Sequence, residues 1–569
     1  MRVRYVDNDD RRISKKVESA RPPEILCRIL QLAVGADGVK VLLPFTRVSG
    51  QWRRAALGDS SLWTTIYLKQ TTTRLLDMIL AHAGNRLLTV HVDHPNLNRF
   101  ARLWNLVDRI EELHYSIRLE QLAPFLSSLG PAPNLEVLDL HPVLTLGIEE
   151  STLAVNLPVV FSGCLPSLRD LTLNNTVTWP AGLFRGLISL ECGTLDHYPI
   201  SPGHVLDVLR ESPSIEFIRV VGNCVLPQGF NPPTVALPSL GKCTLIGHGT
   251  MSLVKFMAVP ASALVFLSKP FLHDGTIFPK LDDLSVAPGL HVLDEVSAVS
   301  FSINDDTVHL RAKNDHGGVL DAEVDELYDL SRDPAIFVHF IRGFLECWRT
   351  FPGFRSTREF TLDVEHGGIW EPEEATLGAL CITQFLFGLP NAEEVKLRGV
   401  PPLELSYILE FLSGSLKSRM HCPNLKRLHI ESIPLPSPRP LLVALDRLFT
   451  GRKEGGAPFQ SVVVKVKCEM LIPATDHRAF LTSWEELVEG GVRLEYERTE
   501  VEKLRRYRRR DFDDEDECDD YGEEWDSEDE DEEEDEDEDE EVDAGGPGCV
   551  GWDGWPEKWP NVVGEMGGA

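Results

Sequence analysis

Apolar and polar positions alternate along this chain in a form that returns again and again. The fullest copies read Pro-x-Leu-x-x-Leu-x-Leu: PNLEVLDLH (Leu135, Leu138, Leu140) and PSLRDLTLNN (Leu168, Leu171, Leu173). Looser copies are ISLECGTLDHY from Ile188, PSIEFIRVVGN (Ile215, Ile218, Val220), PSLGKCTLIGH (Leu240, Cys243, Leu245) and PKLDDLSVAPG (Leu281, Leu284, Val286). Later ones are TREFTLDVE (Phe360, Leu362), NAEEVKLRG (Val395, Leu397) and PNLKRLHIES (Leu425, Leu428, Ile430). Alternation at period two predicts a short strand with one buried face. Early copies lie about 22 to 33 residues apart. A lone strand of this kind cannot bury its inward face, so the copies are expected to stack as a parallel sheet with a helix or loop returning each time. HVLDVLRES and LELSYILEFLSGSL are candidate returns. The expectation is an α/β solenoid over 69–499, opened by a helix at Thr72–Ala83 and a strand at Leu87–Val92 and closed near Tyr496 by SVVVKVKC (461–468) and GVRLEYER (491–498), with AFLTSWEELVEG helical between them. Residues 300–350 fit badly and read as an inserted hairpin, then a helix around Pro334–Arg349.

Ahead of the array the period changes. Within 18–68, Pro22, Pro23 and Glu24 suit a first helical turn, where a missing N–H costs nothing and a carboxylate meets the positive end of the helix dipole. Ile25, Leu26, Ile29 and Leu32 follow at helical spacing and predict one buried stripe. After Gly35, Asp37 and Gly38, a second segment offers Val41, Leu42, Phe45, Val48 and Trp52 to a common face, and Leu62-Trp63 closes the stretch. Fewer than fifty residues in two or three helices cannot bury a self-sufficient core, so this piece must lean on the rest of the chain or on a partner. On periodicity alone, an apolar stripe with a tryptophan is ordinary helix-packing core.

The ordered set Pro22-x-Glu24-Ile25-Leu26, Ile29-Leu30, Val48-x-x-x-Trp52-Arg53 and Leu62-Trp63 resembles an F-box, the short helical motif that docks substrate receptors onto the Skp-type adaptor of SCF ubiquitin ligases. The likeness is to the fungal F-box families whose chain continues into a leucine-rich-repeat-like region, and it is specific over about fifty residues. Two positions depart: Arg21 stands where the family usually has leucine, and Ser49 where a cysteine is often found. Losing one apolar anchor weakens docking by roughly 1–2 kcal/mol. The resemblance implies an adaptor-binding set of Pro22, Pro23, Glu24, Ile25, Leu26, Ile29, Leu30, Val48 and Trp52. It also implies that Leu62 and Trp63 anchor the F-box to the first repeat. The expected partners are the adaptor, through it a cullin scaffold, and an unknown protein substrate, with no cofactor and no bond-making by the chain itself. An interaction scaffold with a degenerate F-box is the alternative.

Composition changes the picture at the C-terminus. Of the 569 residues' net charge of −33, 26 negative charges fall between Asp511 and Asp543, leaving only −7 for the remainder. The body therefore lacks the clustered positive charge that nucleic-acid binding needs. Segment 500–510 packs in Lys503, Arg505, Arg506, Arg508, Arg509 and Arg510, readable as a nuclear-import signal or as a helix end beside an acidic tail. Residues 1–17 and 511–569 are expected to be disordered, because dense like charge cannot collapse. The tail reads first as a solubilising extension and otherwise as a binder of basic proteins. Eleven singly scattered cysteines, no signal-peptide pattern and no run of about 18 apolar residues predict a reduced cytoplasmic or nuclear protein without a membrane span. No phosphate loop, nucleophile elbow or His-Glu-x-x-His occurs. The nearest metal-like cluster, His91-Val92-Asp93-His94, would place neighbouring ligands on opposite strand faces.

Overall fold

The computed structural model describes residues 23–498, apart from 93–102, 117–126, 128, 142–154, 195–198, 248, 271–288, 305–306, 326–351, 365–381, 384, 415–420, 432–438, 469–477 and scattered positions in 479–490. The lead 1–17, the copy at 281–286, the helix expected at 334–349, the basic run and the acidic tail lie outside them. Everything described belongs to one unit, Met1–Lys503.

That unit is α/β, built on a mixed sheet of 17 strands. In chain order the strands are β1 Thr65–Tyr67, β2 Leu88–Val92, β3 Ile110–Tyr115, β4 Val137–Leu140, β5 Val155–Asn156, β6 Asp170–Asn174, β7 Thr176–Thr178, β8 Ser189–Gly193, β9 Phe217–Val221 and β10 Val235–Ala236. Then come β11 Lys242–Ile246, β12 Met257–Ala258, β13 Leu264–Pro270, β14 Val296–Ile303, β15 Val308–Asn314, β16 Val319–Asp325, β17 Glu359–Val364, β18 Glu394–Arg398, β19 Arg427–Glu431, β20 Ser461–Cys468 and β21 Val492–Arg498. Four of these form two small parallel ladders, β5 with β7 and β10 with β12. The helices are α1 Pro23–Asp37, α2 Leu42–Phe45, α3 Gly50–Gly58, α4 Thr73–Ala83, α5 Pro202–Glu211, α6 Pro402–Ser413 and α7 Arg439–Glu454.

Neighbours in the large sheet are mostly neighbours in sequence. From β1 to β13 each main-sheet strand pairs in parallel with the next, and the same holds from β17 to β21. The register puts the apolar position of every strand in one column. It starts at Ile66, Val90, Leu113 and Leu138 and ends at Val395, Leu428 and Val462, all of them buried. Strand entrances repeat too. In two of the Pro-Asn-Leu and Pro-Ser-Leu copies the small polar residue donates to a backbone carbonyl of the preceding turn. Asn134 Nδ2 reaches the Asp108 carbonyl at 2.6 Å and Ser167 Oγ the Pro133 carbonyl at 2.6 Å. The motif therefore supplies both a buried leucine and a cap for an otherwise unpaired carbonyl.

The stretch that fits the pattern badly does so because the chain reverses. β14, β15 and β16 form an antiparallel meander set into the sheet in inverted order, so that β13 pairs with β16 and β14 with β17, both in parallel. Asn314, at the end of β15, fixes the inversion. Its Nδ2 donates to the carbonyls of Ala261 and Val292 at 2.7 and 3.0 Å, and its Oδ1 accepts from the backbone of His316 and Gly318 at 3.0 and 2.9 Å.

Near the C-terminal end a fully buried arginine replaces apolar packing. Arg452 of α7 donates to the carbonyls of Leu412, His421, Cys422, Leu425 and Ala457 at 3.1–3.4 Å, and its guanidinium lies 4.9 Å from the Phe459 ring centre. Burial lowers its pKa to about 10, which still leaves it charged at neutral pH. Removing this cation leaves several buried carbonyls without donors. Arg452→Met is therefore expected to lower unfolding free energy by about 3–5 kcal/mol in denaturant titrations.

Candidate docking surface

The N-terminal helices have two apolar faces. On α1, Leu26, Leu30 and Val34 are buried, while Ile25 is 52% and Leu32 72% exposed and Ile29 is half-buried. At 100° per residue, positions 25, 29 and 32 form one stripe and 26, 30 and 34 another about a third of a turn away or more. The expected single buried stripe is thus split. The inward one seals the head and the outward one faces solvent. Pro23 opens α1 and Glu24 is exposed in its first turn; Pro22 lies outside the described residues.

Behind α1, Gly38 adopts φ 67°, and a Cβ there would come within 2.7 Å of the Tyr67 ring. Only glycine allows the loop to lie so close beside β1. Leu42 of α2 is buried, whereas Leu43 and Val48 are exposed. Phe45 and Trp52 stack with ring centres 5.2 Å apart. Ser49 caps α3 by accepting from the Trp52 backbone N–H at 3.4 Å. Ser49 thus has a structural task at the start of α3. Of the twelve exposed large hydrophobic residues among the described positions, four (Ile25, Leu32, Leu43, Val48) fall within 25–48. Such a concentration on one small unit is what interaction surfaces show and scattered single residues do not. A second group, Phe387, Leu403, Tyr407 and Val443, flanks segments outside the described residues.

Leu62 and Trp63 sit at the join between head and sheet, both buried. Trp63 Nε1 donates to the Ala56 carbonyl at 2.7 Å, and its ring stacks on His82 of α4 at 4.6 Å. One side chain thereby ties α3 to the first helix of the array. Arg86 adds a bond from Nε to Ser60 Oγ at 2.5 Å.

The outward face of the sheet is polar and begins with a stack of rings. Tyr67, His91 and His114 are register partners whose ring centres lie 4.3 and 4.4 Å apart. Asp139 on β4 then meets His114 Nδ1 at 3.2 Å and His141 Nε2 at 2.6 Å. The hydrogen bond to Asp139 raises the His114 pKa against the opposing effect of burial. Burial pushes the Asp139 pKa up, but the bonds from His114 and His141 prevail and hold it low. Among the described residues there is no group of three or more His, Cys, Asp or Glu able to hold a metal ion, and no helix long and apolar enough to cross a membrane. Burial raises the thiol pKa of Cys224 and Cys243 to about 12, which makes them packing residues, not nucleophiles.

Comparison with family models, with curated proteins and with solved structures gave no match to this chain.

Two outcomes follow from these placements. Ile25→Asp and Leu32→Asp are expected to change stability by no more than about 0.5 kcal/mol, whereas Leu30→Ala costs about 2–5 kcal/mol, read from denaturation midpoints. For His114, a raised folded pKa means that its contribution is complete below the ordinary value of 6.5 and is lost as pH rises through the elevated one. His114→Gln should therefore lose less stability than the wild type across that rise.

Proposed function

We propose that this chain is a substrate receptor of an SCF-type ubiquitin ligase. In this reading 18–68 is an F-box that docks a Skp-type adaptor and through it a cullin. The sheet and its returns are an irregular leucine-rich-repeat-like solenoid that holds a protein target. The observation that carries the reading is the two-sidedness of the head. Leu26, Leu30 and Trp63 seal one face against the chain, while Ile25, Leu32 and Val48, with half-buried Ile29 and Trp52, leave apolar surface for a partner. Strands that follow one another in parallel, one per repeat of the leucine pattern, support the solenoid half. The chain then acts through effective concentration, holding a target near a ubiquitin-loaded conjugating enzyme without making bonds itself.

Within this assignment Leu26 and Leu30 position the helix, and Ile25, Ile29, Val48 and Trp52 meet the adaptor. Leu62 and Trp63 make head and array one body, which keeps the distance from adaptor to target fixed. Arg21 favours a second reading, an interaction scaffold whose F-box binds no adaptor.

Pull-down of purified Skp-type adaptor separates the two. Stoichiometric capture by the wild type, lost in Ile25→Asp plus Val48→Asp with the folded state intact, is the expected result. No capture by the wild type, or capture that survives both changes, overturns the receptor.

A further inference from the structure

Along the outward face of the sheet, opposite charges meet almost everywhere. Arg219 pairs with Glu191 at 3.4 Å, Asp139 with two histidines, His309 with Asp321, and Arg427 with Glu394 at 2.8 Å. Among the described residues the matching is incomplete on β18–β20. His429 of β19 is the register partner of Lys396 on β18 and of Val463 on β20. In the adjoining row Arg398, Glu431 and Lys465 are partners across the same three strands. Side chains two apart on a strand share a face, so Lys396, Arg398 and Lys465 surround the His429 ring.

Two of these groups lack a counterpart. Lys465 makes no ion pair among the described residues, and His429 Nε2 is buried with no hydrogen-bond partner. The carboxylates facing the cluster are engaged elsewhere. Glu431 is held by Lys467 at 3.5 Å, and Glu394 by Lys396 at 2.9 Å and Arg427 at 2.8 Å. Arg398 reaches Asp363 only at 3.8 Å. Burial and then the nearby cations Lys465 and Arg398 lower the His429 pKa, which keeps its imidazole neutral and able to donate one N–H.

We propose that Lys396, Arg398, Lys465 and the His429 Nε2–H form an oxyanion site that takes the phosphate monoester of a phosphorylated protein segment. The charge and the donor count select phosphate over carboxylate. Lys465 is unpaired among the described residues, and Lys396 and Arg398, each shared with a carboxylate, lie on the same face. A carboxylate ligand offers two oxygens and one charge, whereas a phosphate monoester offers three acceptor oxygens and up to two charges. Val463, beside His429, leaves an uncharged floor on the β20 side.

The site uses no residue of the N-terminal head, so its failure and that of adaptor docking are separate results. The test is calorimetric titration of the full chain at constant ionic strength with three capped tripeptides, Gly-phosphoserine-Gly, Gly-Ser-Gly and Gly-Glu-Gly. The phosphoserine peptide is expected to bind alone, about tenfold more weakly to Lys465→Gln and to His429→Phe, each losing one charge-assisted or buried donor. His429→Asn, which keeps a donor at that place, is expected to retain most of the affinity. Unfolding midpoints matched to the wild type establish that each variant is folded, since both side chains lie off the buried column. Absence of phosphoserine binding to the wild type, equal binding by both weakened variants, or equal affinity for the glutamate peptide overturns the proposal.

Discussion

One column of apolar side chains, carried from Ile66 to Val462 by strand register, is the interaction on which the rest of the molecule depends. Most strands contribute two or three inward residues, β1 only Ile66 and β14 four, each worth about 1.5–3 kcal/mol when buried. No strand is stable by itself, and every one is stabilised by the strand on either side. Register cannot slip, because a shift of one residue would turn each inward leucine to solvent and each outward charge inward. The polar face is therefore as firmly ordered as the core beneath it, and rings and charges can be set in rows across it.

A sheet of this kind has two ends, and the first is where the N-terminal helices belong. Among the described residues β1 pairs with β2 alone, and the loop at Gly38 lies against the Tyr67 ring. Trp63 then joins α3 to α4. The buried stripe of Leu26, Leu30 and Val34 and the exposed positions Ile25 and Leu32 occupy different faces of α1.

The strands were the most legible part of the sequence, and particular residues say why. Leu138, Leu171, Leu190 and Leu428 are register-matched and buried, as period-two alternation requires. The helix at Thr73–Ala83 and the strands Leu88–Val92, Ser461–Cys468 and Val492–Arg498 fall within one residue of expectation. Less legible was β3, whose Ile110, Leu113 and Tyr115 keep the same spacing but lack the leading proline and two of the three leucines. Strand direction at β14–β16 was hidden because alternation has no polarity: an antiparallel strand and a parallel one show the same apolar rhythm. In the head, apolar spacing located the first helix, but sequence could not divide Ile25 from Leu26, since adjacent apolar residues on a helix differ only in which neighbour they meet. His429 and Arg452 carried no signal at all, because both depend on side chains from other strands and turns.

The reversed meander bears on how the polypeptide assembles as it leaves the ribosome. Up to β13 each new strand can add to an edge that already exists, so growth is local and stepwise. β14 breaks that sequence, for the edge of β13 receives β16, which emerges some fifty residues later. Until then β13 presents unpaired N–H and C=O groups, the exposed edge most prone to pairing with another nascent chain. The edge of β13 is thus completed only after the chain has turned at Asn314 and brought β16 back.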